Sequence, residues 1–168
     1  MATTDYFLKI EGFSSSPGIT GESTDAVHKG EIEIESFSWA VHQTLNIGSQ
    51  STGAGAGKVT MIPVTFVARS SSASPSLFTA CCSGSVYNVT LTIRKAGGTQ
   101  EDYMKVIFKL AAFSDYRHIG VTGQDLIPRD EFKLEYGGVQ VHYSPQTNTG
   151  LLGSPIKKGW DFVANKLV

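Results

Sequence analysis

The amino-acid sequence predicts a mainly β protein with one short helix, arranged as a barrel or as two packed sheets, and three observations carry that expectation. First, Tyr87, Val89, Leu91 and Ile93 alternate with Asn88, Thr90, Thr92 and Arg94, the period of two that a half-buried strand requires. Second, helix signals converge at one place. Ser74 can cap, Pro75 takes the first position, Leu77, Phe78, Ala80 and Cys81 form an inner side, and Gly84 is the stop. Third, roughly eight strand-like segments are punctuated by Gly, Ser and Pro.

Taken in order, Asp5 to Glu11 reads as a first strand with Tyr6, Leu8 and Ile10 on one side, followed by a connection from Gly12 to Thr24. Ile32 and Ile34 alternate with glutamates, but the apolar positions then jump to Phe37 and Trp39. This change of parity predicts a β-bulge near Glu35 and Ser36, and it turns Ser38 away from the core. Val41 to Lys58 shows no periodicity and ends in Gly53-Ala54-Gly55-Ala56-Gly57, so it reads as a long extended loop. Val59 to Ala68 is rich in β-branched residues, and its Pro63 points to an edge or a bulge.

The helix, about Ser74 to Ser83, follows. In the next hairpin, Gly97-Gly98 predicts a two-residue turn that sets Arg94 opposite Glu101, Leu91 opposite Met104, Val89 opposite Val106 and Tyr87 opposite Phe108. On the other face Thr92 would meet Tyr103, and Thr90 would meet Lys105. A polar loop is expected over Ser114 to Gln124. Phe132, Leu134 and Tyr136 suggest a strand leading through Gly137-Gly138 into another with Val139, Val141 and Tyr143. Pro145 to Lys158 is a turn-rich connector, and Trp160 to Val168 reads as a last short strand.

At 168 residues the chain is the size of one domain, spanning residues 1–168. A formal net charge of −1 with 17% charged residues carries no basic footprint for nucleic acid. Such a weakly charged surface is little protected against self-association, which points toward an oligomer. Met1 to Phe13 lacks a basic segment followed by an apolar run, so synthesis in the cytosol without a signal peptide is expected. No apolar run approaches the roughly 18 residues of a membrane span. Cys81 and Cys82 are adjacent and cannot staple distant segments, so both are expected as free thiols.

Several motifs tempt a chemical reading. Thr52 to Thr60 half resembles a phosphate-binding loop, but Thr52 stands where Gly is needed, Val59 where Ser or Thr is needed, and a strand follows in place of a helix. His28, His42, His118 and His142 lack carboxylates or cysteines at metal-site spacing, so no metal is expected. No Gly-x-Ser-x-Gly elbow exists, so no catalytic residue and no cofactor are assigned. Glu31, Glu33 and Glu35 read as a solvated row ahead of any calcium or acid–base role. The sequon Asn88-Val89-Thr90 lies inside a strand and is set aside.

Longer motifs carry a family resemblance. Gly21-Glu22-Ser23 with Asp25 and His28, Glu31-Ile32 running to Trp39, and Gly-Ala-Gly-Lys ending at Lys58 are joined by Ser74-Pro75-x-Leu77 through Ala80 to Gly84. Leu91 to Gly98, Val139 to Pro145, and Gly159-Trp160 with Asn165 complete the set. Together they resemble the haemolysin-coregulated protein (Hcp) family, the tube protein of bacterial type VI secretion systems. The Gly12 to Thr20 connection is longer than the family's, and Ser114 to Arg129 diverges from it.

That resemblance implies a β-barrel of two packed antiparallel sheets flanked by one helix, closing with five siblings into a homohexameric ring. Rings would stack into a tube inside a contractile sheath and be expelled with spike proteins. Small effectors would travel in the lumen, and the protein would reach the extracellular space or a target cell. Neither nucleic acid nor direct membrane insertion enters this picture, and no enzymatic step is implied. Ser38 matches a lumen-facing position of the family. The Val41 to Lys58 loop, with His42, Leu45, Ile47, Gly53, Gly55, Gly57 and Lys58, is expected to pack on the next subunit or ring. A phage-like or pyocin tail-tube component is the alternative, and a soluble β-barrel enzyme or carbohydrate-binding module a more distant one.

Overall fold

The computed structural model describes residues 4–45, 56–95, 100–120, 122–123 and 127–168. Its strands, in chain order, are β1 (Asp5–Gly12), β2 (Ile32–Leu45), β3 (Ala56–Arg69), β4 (Val86–Arg94), β5 (Asp102–Ile119), β6 (Arg129–Tyr143), β7 (Ile156–Asp161) and β8 (Lys166–Leu167), with helix α1 (Ser74–Ser83) between β3 and β4. Every pairing is antiparallel, and the strand order is β3-β2-β1-β4-β5-β6-β7-β8. A further ladder joins β3 to β6 from Val64↔Leu134 to Arg69↔Arg129, which closes β1 to β6 into a barrel. The β7–β8 hairpin hangs from the free edge of β6.

Alternation supplies the core. Leu8, Val64, Phe66, Val89, Leu91, Val106, Phe108, Phe132 and Leu134 are sealed from solvent, and their rings meet mostly edge-on or tilted, as with Phe66 against Phe108. Leu77 and Ala80 of α1 join this cluster. Gly84 ends the helix with φ 64°, a left-handed conformation that glycine adopts without strain.

The expected bulge is present. The β2–β3 register shifts between Ile34 and Ser36, Phe37 and Trp39 turn inward, and Ser38 is exposed opposite Thr65. Pro63 sits where a second register shift, between Ser38 and Ala40, coincides with the end of the β3–β6 ladder. Its missing N–H therefore interrupts no pairing.

Other expectations are corrected. The β4–β5 hairpin pairs Leu91 with Val106, Val89 with Phe108, Ile93 with Met104, Thr92 with Lys105 and Thr90 with Ile107, two residues away from the predicted register. The ladder ends at Arg94↔Asp102 after an irregularity, and the Lys95 N–H reaches the Glu101 carbonyl at 3.1 Å, so the connection is longer than two residues. A slip of two keeps the same faces inward, so apolar matching alone could not detect it. The turn glycines Gly97 and Gly98 lie outside the described residues.

Of Val41 to Lys58, the two ends, 41–45 and 56–58, are ladder and not loop, and residues 46–55 lie outside the described residues. β2 runs to Leu45 and pairs with β3 as far as Ala56, with another register shift between Gln43 and Leu45. Repeated shifts erase the period of two, which is why the segment read as loop. Ser114 to Ile119 continues β5 and is not loop.

Gly137-Gly138 is no turn either, because β6 is one continuous strand. Ser74 is not the helix cap. Its hydroxyl accepts the Ser71 N–H at 3.0 Å and donates to Asp130, while Ala73 holds the cap position. Phe78 is 54% exposed, so it is not on the inner side. The last strand resolves into β7 and β8.

Candidate functional site

Three surfaces carry the residues singled out above. The first is the outer face of β2, β3, β6 and the distal half of β5. Ser38 pairs with Thr65, Thr65 with Lys133, and Lys133 with Asp115, one row across four strands. The neighbouring row runs Ser36, Val67, Glu131, Arg117. Each row sets a base against an acid on adjacent strands, so the face is polar and charge-balanced, with favourable cross-strand pairs.

The second surface is the far end of the β2–β3 ladder. β2 pairs with β1 only at Ile32 and Glu33, and β3 with β6 only from Val64 onward. The ribbon formed by Ala40–Leu45 and Ala56–Ile62 therefore runs past both flanking ladders, and among the described residues no third strand continues the sheet on either side of it. An isolated two-stranded ribbon is marginally stable in water, which favours its packing on something else.

Tyr136 tethers the base of this ribbon. Its hydroxyl donates to the Ile62 carbonyl at 3.2 Å, and burial pushes that hydroxyl's pKa up to about 12. Between the ribbon and β6–β7 opens an apolar cleft of about 490 Å³, walled by Trp39, Val41, Val59, Val141 and Trp160. The Trp160 indole N–H is buried and meets no acceptor among the described residues.

The expected contact residues fall unevenly on this ribbon. His42, opposite Thr60, and Leu45, opposite Ala56, are exposed, and so is Lys58. Gly57 belongs to β3. Ile47, Gly53 and Gly55 lie outside the described residues.

The third feature is an ionic lock that holds residues 20–31 onto β1 and β4. Arg94, buried, reaches Asp25 at 2.7 Å and Asp5 at 3.2 Å, with its guanidinium carbon 4.7 Å from the Phe7 ring centre. The hydrogen bond from Arg94, helped by the Val27 N–H, holds the Asp25 carboxyl down at about 2. His28 stacks on Phe7 at 4.3 Å and places Nδ1 3.0 Å from Glu31 and Nε2 3.0 Å from Asp102. Both nitrogens can donate at once only in the imidazolium form. The lock depends on contacts between residues up to 89 positions apart, which sequence spacing does not reveal.

Among the described residues one serine, histidine and aspartate come together, and not as a relay. Ser70, His118 and Asp130 adjoin, but Ser70 Oγ at 3.3 Å and Asp130 at 2.8 Å both address the same nitrogen, His118 Nδ1. A relay needs one on each side of the ring. Asp130 instead ties together Ser70, Ser74, Tyr116 and His118, and so anchors the start of α1 to β5 and β6.

The glutamate row is likewise divided. Glu31 meets His28, Glu35 is held by Arg129 at 2.7 Å and Arg69 at 3.0 Å, and Glu33 is exposed. The Arg129 hydrogen bond, ahead of that from Arg69, lowers the Glu35 pKa. Among the described residues no three His, Cys, Asp or Glu side chains gather as metal ligands would, and no helix is long and apolar enough to cross a membrane.

Comparison with known proteins follows the same direction. The family described as "Type VI secretion system effector, Hcp" matches residues 7–143. Hcp1 from Salmonella typhimurium is similar over 100% of both chains at 32% identity, with a TM-score of 0.77. A structure described as a type six secretion system protein aligns with 97% of this chain and 99% of its own at 27% identity and a TM-score of 0.86. A type VI secretion system effector from Yersinia pestis is similar over 94% of this chain and 99% of its own, at 25% identity and a TM-score of 0.72. No curated protein sequence matches the chain.

Proposed function

Because the chain belongs to the Hcp family of type VI secretion system effectors, we propose that it works as a tube subunit, closing with five copies of itself into a ring whose rings stack into a hollow conduit. The observation that carries this reading is the β2–β3 ribbon, which runs past both flanking ladders and exposes Val41 and Leu45, with Val41 at the wall of an apolar cleft. A closed ring needs two different surfaces on each copy, one projecting and one receiving. The ribbon and the cleft supply that pair.

In this reading the Ser38–Thr65–Lys133–Asp115 face lines the lumen. Its balanced charges and small hydroxyls leave room for varied small effectors and hold none of them tightly. The assembled tube is expelled with spike proteins from within a contractile sheath, which moves the protein out of the cell. No bond is made or broken in this role. The family match across residues 7–143 supports it.

Replacing Ser38 with Gln tests the lumen assignment. Rings should persist while retention of a co-expressed small effector falls at least severalfold; unchanged retention with intact rings would contradict it.

A further inference from the structure

Lys105, His142 and Lys157 stand in one row across three neighbouring strands, Lys105 paired with His142 across β5–β6 and His142 with Lys157 across β6–β7. Side chains directly opposed in an antiparallel ladder share a face, so this placement brings the two lysines in from either side of the imidazole. Partial burial, then the ammonium groups of Lys157 and Lys105, lower the His142 pKa.

The fold offers little compensation. Asp102 lies 3.5 Å from the Lys105 ammonium, but its other oxygen is taken by His28 Nε2 at 3.0 Å. The row lines a surface hollow of about 240 Å³, with Tyr103 and Ser144 among its other walls. The Lys105 side chain is 44% exposed and Lys157 is exposed, so an external group can reach both.

We propose that this row is a docking surface for an acidic segment of a partner protein, bound in an extended conformation. Neighbouring strands are about 4.8 Å apart, so the row spans roughly 10 Å, while alternate side chains of an extended peptide fall about 6.5–7 Å apart on one face. Two carboxylates at i and i+2 can therefore sit in the two gaps between the three bases. A single small anion fills one gap only. The inference needs an exposed face and not a ring, so it stands or falls separately from the tube reading.

The test is the fluorescence anisotropy of a labelled hexaglutamate peptide titrated with the full chain at low ionic strength, with sedimentation of the same samples recording oligomeric state. Saturable binding is expected, weakened about threefold or more by Lys105→Gln and again by Lys157→Gln, and weakened by added salt. Inorganic phosphate should displace the peptide only at far higher concentration. Absent binding, binding by both variants as tight as the parent's, or displacement by phosphate at matching concentration would overturn the proposal, the last by showing a small-anion site. Thermal melting of each variant, expected unchanged, separates lost binding from lost folding.

Discussion

Leu110 packs against Gly137 between the β5–β6 pairs Lys109↔Gly138 and Ala111↔Tyr136, and the two strands turn over together there. Before it the inward residues are Val106 and Phe108; after it they are Ala111 and Phe113, while β6 changes from Tyr136 to Val139. Leu110 adopts φ 51°, which lets one residue swing the strand without breaking the ladder. A Cβ on Gly137 would meet Leu110 Cβ at 3.2 Å and Val163 Cγ2 at 3.4 Å. Gly137→Val is expected to destabilise by about 1–3 kcal/mol through overpacking. A drop in Tm of roughly 2–10 °C follows for a chain of this size, and calorimetry showing no change would contradict this account of the corner.

The same corner marks where sequence reading stops. Gly137-Gly138 has the composition of a turn, and nothing local distinguishes a turn from two strands changing face in concert, because the deciding contact comes from Leu110 on another strand. The bulge at Ile34–Ser36 was legible because the parity change stays within one segment. The ribbon was not, since its register shifts scramble the alternation that identifies strands. Ser38 could be placed on the outer face from parity alone. Its row partners Thr65, Lys133 and Asp115 depend on barrel closure through β3–β6, which no spacing encodes.

The Arg94–Asp25 pair predicts a specific acid response. The Asp25 carboxyl is held at about 2, below its ordinary value of 3.8, so its contribution to stability is complete above pH 4 and is lost as pH falls toward 2. Asp25→Asn should therefore flatten the decline of Tm between pH 4 and pH 2 relative to the parent chain. Parallel declines in the two proteins would show that the pair carries no such linkage.

Assembly should depend on one side of the ribbon. Val41 is 48% exposed and borders the cleft, while Ile62 is 44% exposed and, paired with Ala40, points from the opposite face. Val41→Glu places a charge on the apolar contact and should raise the concentration needed for assembly by about tenfold or more, in line with an unpaired charge at a desolvated contact. Ile62→Glu should leave assembly near the parent value. Light scattering across a dilution series measures both, and equal effects would remove the cleft from the interface.

Sedimentation velocity of the purified chain, joined to negative-stain electron microscopy, tests the central claim most directly. The account predicts a species of six times the 18.0 kDa chain mass, visible as rings with an open centre. A sharp monomer boundary that persists at high protein concentration, with no annular particles, would contradict it.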